Sequence, residues 1–340
     1  MISLAEIKNI LAVENPAQIE KLASQAKSLT EQYFGRTISL YAPIYLSNYC
    51  SSWCTYCGFH SHNRIKRVKL TEEQMSEEMS FVAGTGIQNV LLLTGESYKA
   101  TPLSYLKSAV KTAQNYFPSI SLEVHPMEET EYRELFTNGV DGITVYQETY
   151  NRERYAQVHI SGKKRDYDYR RETPERIARA GIRQISMGIL LGLSPVAEDL
   201  YALYEHLRVM EKSFPGIEYS VSFPRLRTIK GMGFEPSDVT DLTFIKIICL
   251  TRILFPRVGI NLSTRESPTI RDGTLGLGVT RMSAASKTSV GGYTLFDQND
   301  QEPQFDIQDD RSLKEIVQLL KNKDFDPIFT DWRRIPNEIA

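Results

Sequence analysis

The sequence predicts an α/β protein built on a TIM-type (β/α)8 barrel of parallel strands. Apolar runs of strand length alternate with helical periodicity through most of the 340-residue chain, and this alternation favours a parallel sheet. Several runs, such as Val90-Leu91-Leu92-Leu93, are apolar at every position, which is typical of strands covered on both faces. Eight such runs fit a closed barrel of roughly 250 residues plus additions, and an open or partial barrel remains the alternative.

The elements follow in order along the chain. Apolar residues three and four apart predict helix over residues 4–34, and Thr71 with Gln74 three residues later predicts a capped helix start. Strands are predicted at 38–46, 90–93, 120–124, 142–146, 184–187, 219–223, 259–263 and 277–282. Further helices are predicted at 103–116, 128–138, 173–180, 195–212, 242–255 and 313–321. We expect an N-terminal helical segment (1–36), the barrel (37–322) and a C-terminal tail (323–340) packed on it.

Composition narrows the class of protein. The chain is 41% hydrophobic and 24% charged with a net charge of -2, as in ordinary globular proteins. The near-neutral balance argues against a nucleic-acid partner, and no apolar run is long enough to span a membrane. With three clustered cysteines and no stretch resembling a signal peptide, we expect a reducing, cytoplasmic location.

A cysteine cluster directly follows the first predicted strand. Cys50, Cys54 and Cys57 have the spacing C-x3-C-x2-C, and thiolates are soft ligands for iron–sulfur clusters and zinc. Three thiolates can ligate three corners of one [4Fe–4S] cube. The fourth cysteine, Cys249, lies far along the chain in an apolar run, so one iron is left without a protein ligand.

Zinc is the alternative metal for these cysteines. His60 or His62 could supply a fourth ligand. Structural zinc sites, however, are usually built from two separated ligand pairs rather than from one triplet, so the spacing favours the iron–sulfur cluster.

Polar residues follow most of the predicted strands, where chemistry lies in a βα barrel. Taken singly, each of these residues could instead belong to a turn, be a glycine needed for packing or be a charge on the surface. Together with the cysteine loop, they favour one functional site at the mouth of the predicted barrel. These residues are Gly95, Glu96, Gln147, Glu148, Gly188, Gly192, Ser222, Arg225, Arg227, Arg265 and Ser283.

The cysteine spacing, with Tyr56 just before the last cysteine, resembles that of the radical S-adenosylmethionine (SAM) superfamily. In that superfamily the open iron binds the amino and carboxylate groups of SAM, and the reduced cluster releases a 5′-deoxyadenosyl radical. From about residue 41 to near the C-terminus, the chain resembles the tyrosine lyases (2-iminoacetate synthases) of thiamine thiazole synthesis. The most specific stretches are 45–50, 63–67, 146–150, 219–227 and 263–268.

The resemblance implies a carbon–carbon lyase. A hydrogen atom is removed from the amino group of L-tyrosine, and the Cα–Cβ bond breaks to give 2-iminoacetate (dehydroglycine) and p-cresol, with 5′-deoxyadenosine and methionine. The alternatives are the tyrosine lyases of hydrogenase cofactor assembly and the tryptophan lyases. The former carry further cysteines in a C-terminal extension, whereas Cys249 is the only cysteine here after Cys57, so we expect the thiamine enzyme.

The resemblance also implies roles for individual residues. Cys50, Cys54 and Cys57 would ligate the [4Fe–4S] cluster. Contacts to SAM would come from Tyr56, Gly95, Glu96, Gln147, Glu148, Arg170, Gly188 and Gly192. Among them, Glu96 would meet the SAM amino group, Glu148 the ribose hydroxyls and Arg170 the carboxylate. Tyrosine would be bound by Arg265 through its carboxylate, with Ser222, Ser283 and Tyr45 as hydrogen-bonding neighbours.

Two protein partners are also expected. The basic residues Arg64, Lys66, Arg67 and Lys69 are either solvated surface or a docking patch for an acidic electron donor such as flavodoxin or ferredoxin. The resemblance implies a second partner, the thiazole synthase ThiG, because 2-iminoacetate is short-lived in water.

Overall fold

The barrel is closed. A computed structural model describes residues 2–226, 234–296 and 302–330. Its strands are β1 (Thr37–Ser47), β2 (Trp53–Cys54), β3 (Asn89–Thr94), β4 (Ser119–Glu123), β5 (Gly142–Glu148), β6 (His159–Ser161), β7 (Gln184–Ile189), β8 (Glu218–Ser222), β9 (Gly259–Leu262), β10 (Arg281–Ser283) and β11 (Asp326–Ile328). Within these residues, β1, β3, β4, β5, β7, β8, β9 and β10 are parallel neighbours in that order, and β10 returns to pair with β1. The predicted eight-stranded barrel is confirmed, and the open alternative is wrong.

Helices surround the barrel. They are α1 (Leu4–Leu11), α2 (Pro16–Phe34), α3 (Glu72–Gly84), α4 (Leu103–Ala113), α5 (Glu129–Thr137), α6 (Arg152–Val158), α7 (Tyr167–Arg171), α8 (Thr173–Arg179), α9 (Val196–Ser213), α10 (Asp241–Leu254), α11 (Pro268–Gly273) and α12 (Leu313–Asn322). The predicted cap of α3 is present, because Thr71 Oγ1 accepts from the Gln74 N–H and the Gln74 side chain accepts from the Thr71 N–H. Among the residues described, none of the helices combines the length and apolar character that a membrane span requires.

Both faces of the barrel strands are buried, which explains their unbroken apolar runs. In β1, Leu40 and Ile44 are fully buried in the core, whereas Tyr41, Pro43 and Tyr45 line an interior cavity. Successive side chains of a strand point to opposite faces. One face of β1 therefore packs in the hydrophobic core, and the other face lines the cavity.

Two local predictions differ from the structure, and one local feature was not predicted. The helix predicted over 4–34 is broken, because Asn15 caps a new helix at Pro16 and proline cannot continue the preceding one. The last barrel strand begins at Arg281 rather than at 277, since residues 275–278 form a turn with positive φ at Gly276. The antiparallel pair of β2 and β6 was not predicted.

The C-terminal part returns to the start of the barrel. β11 pairs in parallel with Thr37, Ile38 and Ser39 at the beginning of β1. The remaining residues of the predicted tail, 331–340, lie outside the described part of the chain.

A buried ion pair supports the strand that closes the barrel. The Arg271 guanidinium donates to the Asp309 carboxylate and to the carbonyl oxygen of Ser283 in β10, and the side chains of Arg271 and Asp309 are 1% and 0% exposed. Asp309 also accepts from Arg311. Burial by itself would raise the pKa of Asp309, but these two cations hold it below its usual value.

We predict that Asp309→Asn lowers the free energy of unfolding by about 3–5 kcal/mol, since it leaves buried guanidinium charge without its partner. Urea denaturation followed by circular dichroism measures this change. The matched control is Asp310→Asn at an exposed neighbour, which should change stability by less than about 0.5 kcal/mol. Equal effects of the two substitutions would contradict the prediction.

Candidate active site

A cavity of about 130 Å³ lies at the carboxyl ends of the barrel strands. Its wall brings together side chains from distant parts of the sequence, including Cys57, Glu123, Glu148, Lys164, Ser222 and Arg265. Polar and charged groups gathered in one concave site are typical of a site that binds a small molecule.

The cysteine loop begins where β1 ends, and its backbone is fastened to the neighbouring segments. The Asn48 side chain accepts from the Val68 N–H at 2.7 Å and donates to the Lys66 carbonyl oxygen at 2.9 Å. The N–H and hydroxyl of Ser51 donate to the Glu96 carbonyl oxygen at 2.9 and 2.8 Å. The loop therefore lies directly against the segment that follows β3.

The Arg67 side chain makes the largest set of hydrogen bonds to the backbone of this loop. Its Nη1 donates to the carbonyl oxygens of Asn48 and Phe59 at 2.6 and 2.8 Å. Its Nη2 donates to the carbonyl oxygens of His60 and Asn63 at 2.7 and 3.1 Å. The four oxygens flank the cysteine triplet on both sides, so one guanidinium holds the two ends of the loop together. Arg67 is thus a structural residue rather than an exposed surface charge.

A second close contact comes from the segment after β6. Gly162 has φ +87°, and a Cβ there would lie 2.5 Å from Ser52 Cα. Only glycine adopts this backbone conformation at such a distance without strain. The Lys164 N–H donates to Ser52 Oγ at 3.3 Å, and the Tyr56 hydroxyl is 2.8 Å from His159 Nε2. The contact brings Lys164 to the cysteine loop.

The three loop cysteines are free thiols at different depths. Cys57 lines the cavity, whereas Cys54 packs in a small apolar cluster with Tyr56 and Leu190. Burial raises the pKa of all three thiols, that of Cys50 to about 11. Metal ligation by these residues would therefore displace protons. The fourth cysteine, Cys249, is buried in α10.

A network of four buried charges lies beside the loop. Arg170 donates to Glu96 at 2.8 Å, and Lys164 lies 2.7 Å from Glu148 and 3.7 Å from Glu96. Although burial opposes ionisation, the charges of Arg170 and Lys164 hold the pKa of Glu96 below its usual value. Burial and Arg170 act against the Lys164 charge, yet the carboxylates of Glu148 and Glu96 keep the pKa of Lys164 raised. Glu96 and Lys164 are therefore ionised at neutral pH.

Two predicted glycines allow the backbone to approach closely. A Cβ on Gly95 would overlap the carbonyl oxygen of Tyr49, and a Cβ on Gly188 would lie 2.5 Å from the Tyr146 ring. Gly192 has φ +104° and lies near Leu226 instead. Glu148 has φ +70°, an uncommon conformation for a residue other than glycine that is often found at functional sites.

Arg265 lines the same cavity as Cys57. Its guanidinium lies 3.7 Å from the centroid of the Phe305 ring. Tyr45, Ser222 and Ser283 line the same cavity; the Tyr45 hydroxyl donates to Gln304 at 2.7 Å, and Ser283 Oγ accepts from the Thr264 N–H at 3.2 Å. The four residues predicted for the substrate are therefore brought together.

Other predicted residues lie elsewhere. Gln147 is buried on the other side of β5, beside Arg171 and His206 rather than in this cavity. Arg225 is not a surface charge, because it is buried and paired with Glu266 and Asp241. Arg227 lies outside the described residues.

Sequence reasoning missed three cavity residues, Lys164, Glu123 and Gln304. Lys164 lies in a 3-10 turn, Glu123 is the last residue of β4 and Gln304 lies far along the chain. Glu123 could have been noticed as the single charge of an otherwise uncharged run.

Arg64, Lys66 and Lys69 form an exposed basic patch beside the loop. Lys66 lies 5.6 Å from the centroid of the Phe296 ring, and Lys69 lies 5.1 Å from that of Tyr105. With Arg67 engaged by the loop, these three cations are what the basic segment presents to solvent.

Two family models match the chain. One, described as the radical SAM superfamily, matches residues 44–207. The other, described as the biotin and thiamin synthesis associated domain, matches residues 222–326. Together they cover most of the barrel, from within β1 to the start of β11.

The chain is similar to characterised proteins over nearly its whole length. It is 41% identical over 329 residues to 2-iminoacetate synthase of Escherichia coli, covering 95% of this chain and 86% of the relative. The same enzyme of Salmonella typhimurium is 42% identical with the same coverage. Among solved structures, the FeFe-hydrogenase maturase HydG from Carboxydothermus hydrogenoformans superposes with a TM-score of 0.89 at 34% identity, covering 96% of this chain and 76% of HydG.

We predict that Arg67→Lys loosens the cysteine loop, since an ammonium cannot donate in fixed directions to four carbonyl oxygens. Protein purified and reconstituted anaerobically should contain at most about half of the wild-type iron and sulfide. The control is Arg64→Lys in the exposed patch, which should retain wild-type iron. Full iron content in Arg67→Lys, with unchanged thermal unfolding, would contradict this role.

Proposed function

This chain belongs to the 2-iminoacetate synthase family of radical SAM enzymes, and we propose that it performs that family's reaction. The substrate is L-tyrosine, whose Cα–Cβ bond is cleaved. The products are 2-iminoacetate and p-cresol, with 5′-deoxyadenosine and methionine formed from SAM. The 2-iminoacetate supplies thiamine thiazole synthesis.

One observation carries the proposal: Cys57 and Arg265 border the same cavity. A reactive species formed at the cysteine loop would therefore meet an amino acid held by its carboxylate on Arg265. The Phe305 ring beneath Arg265 orients the guanidinium and excludes water from one of its faces.

The residues present fit a [4Fe–4S] cluster and SAM. Three thiols in one loop supply soft ligands for three irons, and we propose Cys50, Cys54 and Cys57 in this role. When bound, the cluster and SAM supply one-electron chemistry that removes a hydrogen atom from the substrate. The protein supplies binding and orientation.

The charged network suits the two ends of SAM. We propose that the Glu96 carboxylate meets the SAM ammonium and that Glu148 accepts from the ribose hydroxyls. Arg170 uses Nη1 for Glu96 and Nε for the Tyr146 carbonyl oxygen. Its Nη2 has no partner among the described residues and would bind the SAM carboxylate. Lys164 Nζ donates to the Glu148 carboxylate and holds it in place.

The remaining predicted contacts are proposed around these groups. Gly95 and Gly188 would act through the backbone, because they let the chain pack closely against Tyr49 and the Tyr146 ring. Tyr56 forms the cavity wall next to Cys57. Ser222, Ser283 and Tyr45 would hydrogen-bond to the substrate beside Arg265. Gln147 and Gly192 would act on SAM only indirectly, because Gln147 lies on the other side of β5 and Gly192 packs near Leu226.

The reaction is tested with anaerobically reconstituted protein, SAM and dithionite. With L-tyrosine we expect p-cresol in amounts matching 5′-deoxyadenosine, and with L-tryptophan we expect no cleavage product. Arg265→Lys should lower kcat/KM for tyrosine by about 10- to 100-fold, because a bidentate charged hydrogen bond is lost.

The matched control for Arg265→Lys is Arg257→Lys at an exposed position, which should behave as wild type. Cleavage of tryptophan instead of tyrosine would assign the chain to a different aromatic amino acid. Normal tyrosine cleavage by Arg265→Lys would show that Arg265 does not bind the substrate.

An acidic electron donor, flavodoxin or ferredoxin, is proposed to dock on the patch of Arg64, Lys66 and Lys69. Reversing two of these charges in Arg64→Glu/Lys66→Glu should slow cluster reduction by reduced flavodoxin at least about tenfold at low salt, since steering depends on charge. Stopped-flow absorbance measures the rate, and Lys21→Glu/Lys27→Glu on α2 is the control. An unchanged rate, or an equal loss in the control, would contradict the docking site.

Two further proposals follow from the family reaction. The unstable product would be passed to the thiazole synthase ThiG. A cluster held by reduced thiols suits a reducing cytoplasm.

A further inference from the structure

Glu123 is an isolated carboxyl group in the wall of the active-site cavity. It ends β4, where it is paired in register with Leu93 of β3. Among the described residues, its carboxylate has neither a hydrogen bond nor an ion pair. The other charged groups of the same wall all have partners: Lys164 binds Glu148, and Arg265 donates to the Arg225 carbonyl oxygen.

Glu123 is half-buried in the wall of this cavity. A charged group withdrawn from bulk water without a partner is costly, which points to a ligand. The groups that act on Glu123 electrostatically come from every side of the cavity. The charged ones are Glu148, Lys164, Arg170 and Arg265, and the phenols are Tyr41, Tyr45 and Tyr146. Burial, followed by the Glu148 charge, raises the pKa of Glu123 to about 7. The group therefore ionises in the range where it can both attract a cation and accept a proton.

Besides the Lys164–Glu148 pair, the cavity wall carries Arg265 and Glu123, and no hydrogen bond or ion pair joins these two. An amino-acid substrate carries the complementary pair, a carboxylate and an ammonium. With the carboxylate on Arg265, the ammonium is the group of the substrate that lacks an assigned partner.

We propose that the Glu123 carboxylate binds the α-ammonium group of the substrate and accepts one of its protons. The inference rests on the proposed function. In this step one N–H bond breaks heterolytically, its electron pair stays on nitrogen, and the proton forms the O–H bond of the Glu123 carboxylic acid. No oxidant or reductant is consumed.

The chemistry requires such an acceptor. Removing a hydrogen atom from a protonated amine would leave a positive charge on nitrogen inside a buried cavity, where an unpaired charge is strongly disfavoured. A neutral amine avoids this charge. A carboxyl group with a pKa near the working pH is well matched to take the proton.

Binding measurements separate the amine from the phenol as the group that Glu123 contacts. The protein carries its cluster and SAM but no reductant, so no turnover occurs, and anaerobic equilibrium dialysis gives Kd. Wild type should bind L-tyrosine about 10- to 100-fold more tightly than 3-(4-hydroxyphenyl)propanoate, which lacks the amine. Glu123→Gln should lose this preference while keeping the wild-type preference for tyrosine over L-phenylalanine, which lacks the hydroxyl.

Glu153→Gln, at an exposed position on α6, is the matched control and should retain both preferences. If Glu123→Gln keeps the preference for the amine, the proposal is overturned. If it loses the preference over phenylalanine instead, Glu123 contacts the phenol and the proposal is also overturned.

The wild-type protein provides a test that needs no variant. Because Glu123 becomes neutral below its pKa, the preference for tyrosine over the analogue without the amine should fall as the pH drops through about 7. A preference unchanged from pH 6 to pH 8 would overturn the proposal, even if Glu123→Gln failed to fold.

The same experiments distinguish the two proposals from each other. If the wild type makes p-cresol and Glu123→Gln binds as the wild type does, only the proposal for Glu123 is rejected. Wild type that shows the amine preference but makes no p-cresol would leave the Glu123 contact in place and reject the tyrosine lyase reaction.

Discussion

The site depends on the hydrogen bonds between the Arg67 guanidinium and the carbonyl oxygens at both ends of the cysteine loop. The two ends of this loop lie outside helices and strands, and buried backbone oxygens without partners are costly. Arg67 satisfies four of them from one rigid, permanently charged group. The thiol groups can then serve as ligands, because Arg67 holds the two ends of the loop together.

The loop is also the origin of the charge arrangement in the mouth of the barrel. Ser51 binds the backbone of Glu96, Glu96 binds Arg170, and Lys164 joins Glu96 to Glu148. Opposite charges alternate along this chain of contacts, so each buried charge is compensated locally. The carboxyl at the end of β4 is excluded from this compensation. The paired charges hold the cofactor region in shape, whereas the unpaired carboxyl group is available to bind a ligand.

Strand alternation explains which parts could be predicted. Barrel strands such as β7, buried at every position, stand out from the sequence because both faces are covered. The residues after each strand are harder to assign: Gln147 and Glu148 are adjacent, yet they face opposite sides of β5. Lys164 could not be predicted, because it depends on the pairing of β2 with β6, two and three residues long. Glu123 lies inside a predicted strand, where only the closed barrel reveals that its side faces the cavity.

The absence of a side chain at residue 162 sets the spacing between two otherwise independent parts of the mouth. The cysteine loop belongs to the first βα unit, and the turn carrying Lys164 follows α6, far along the chain. Their backbones touch at Ser52 only because position 162 has no Cβ. Even alanine at position 162 would force the two backbones apart. It would push the lysine away from its carboxylates and unbalance the charge around the cofactor, although residue 162 itself carries no chemistry at all.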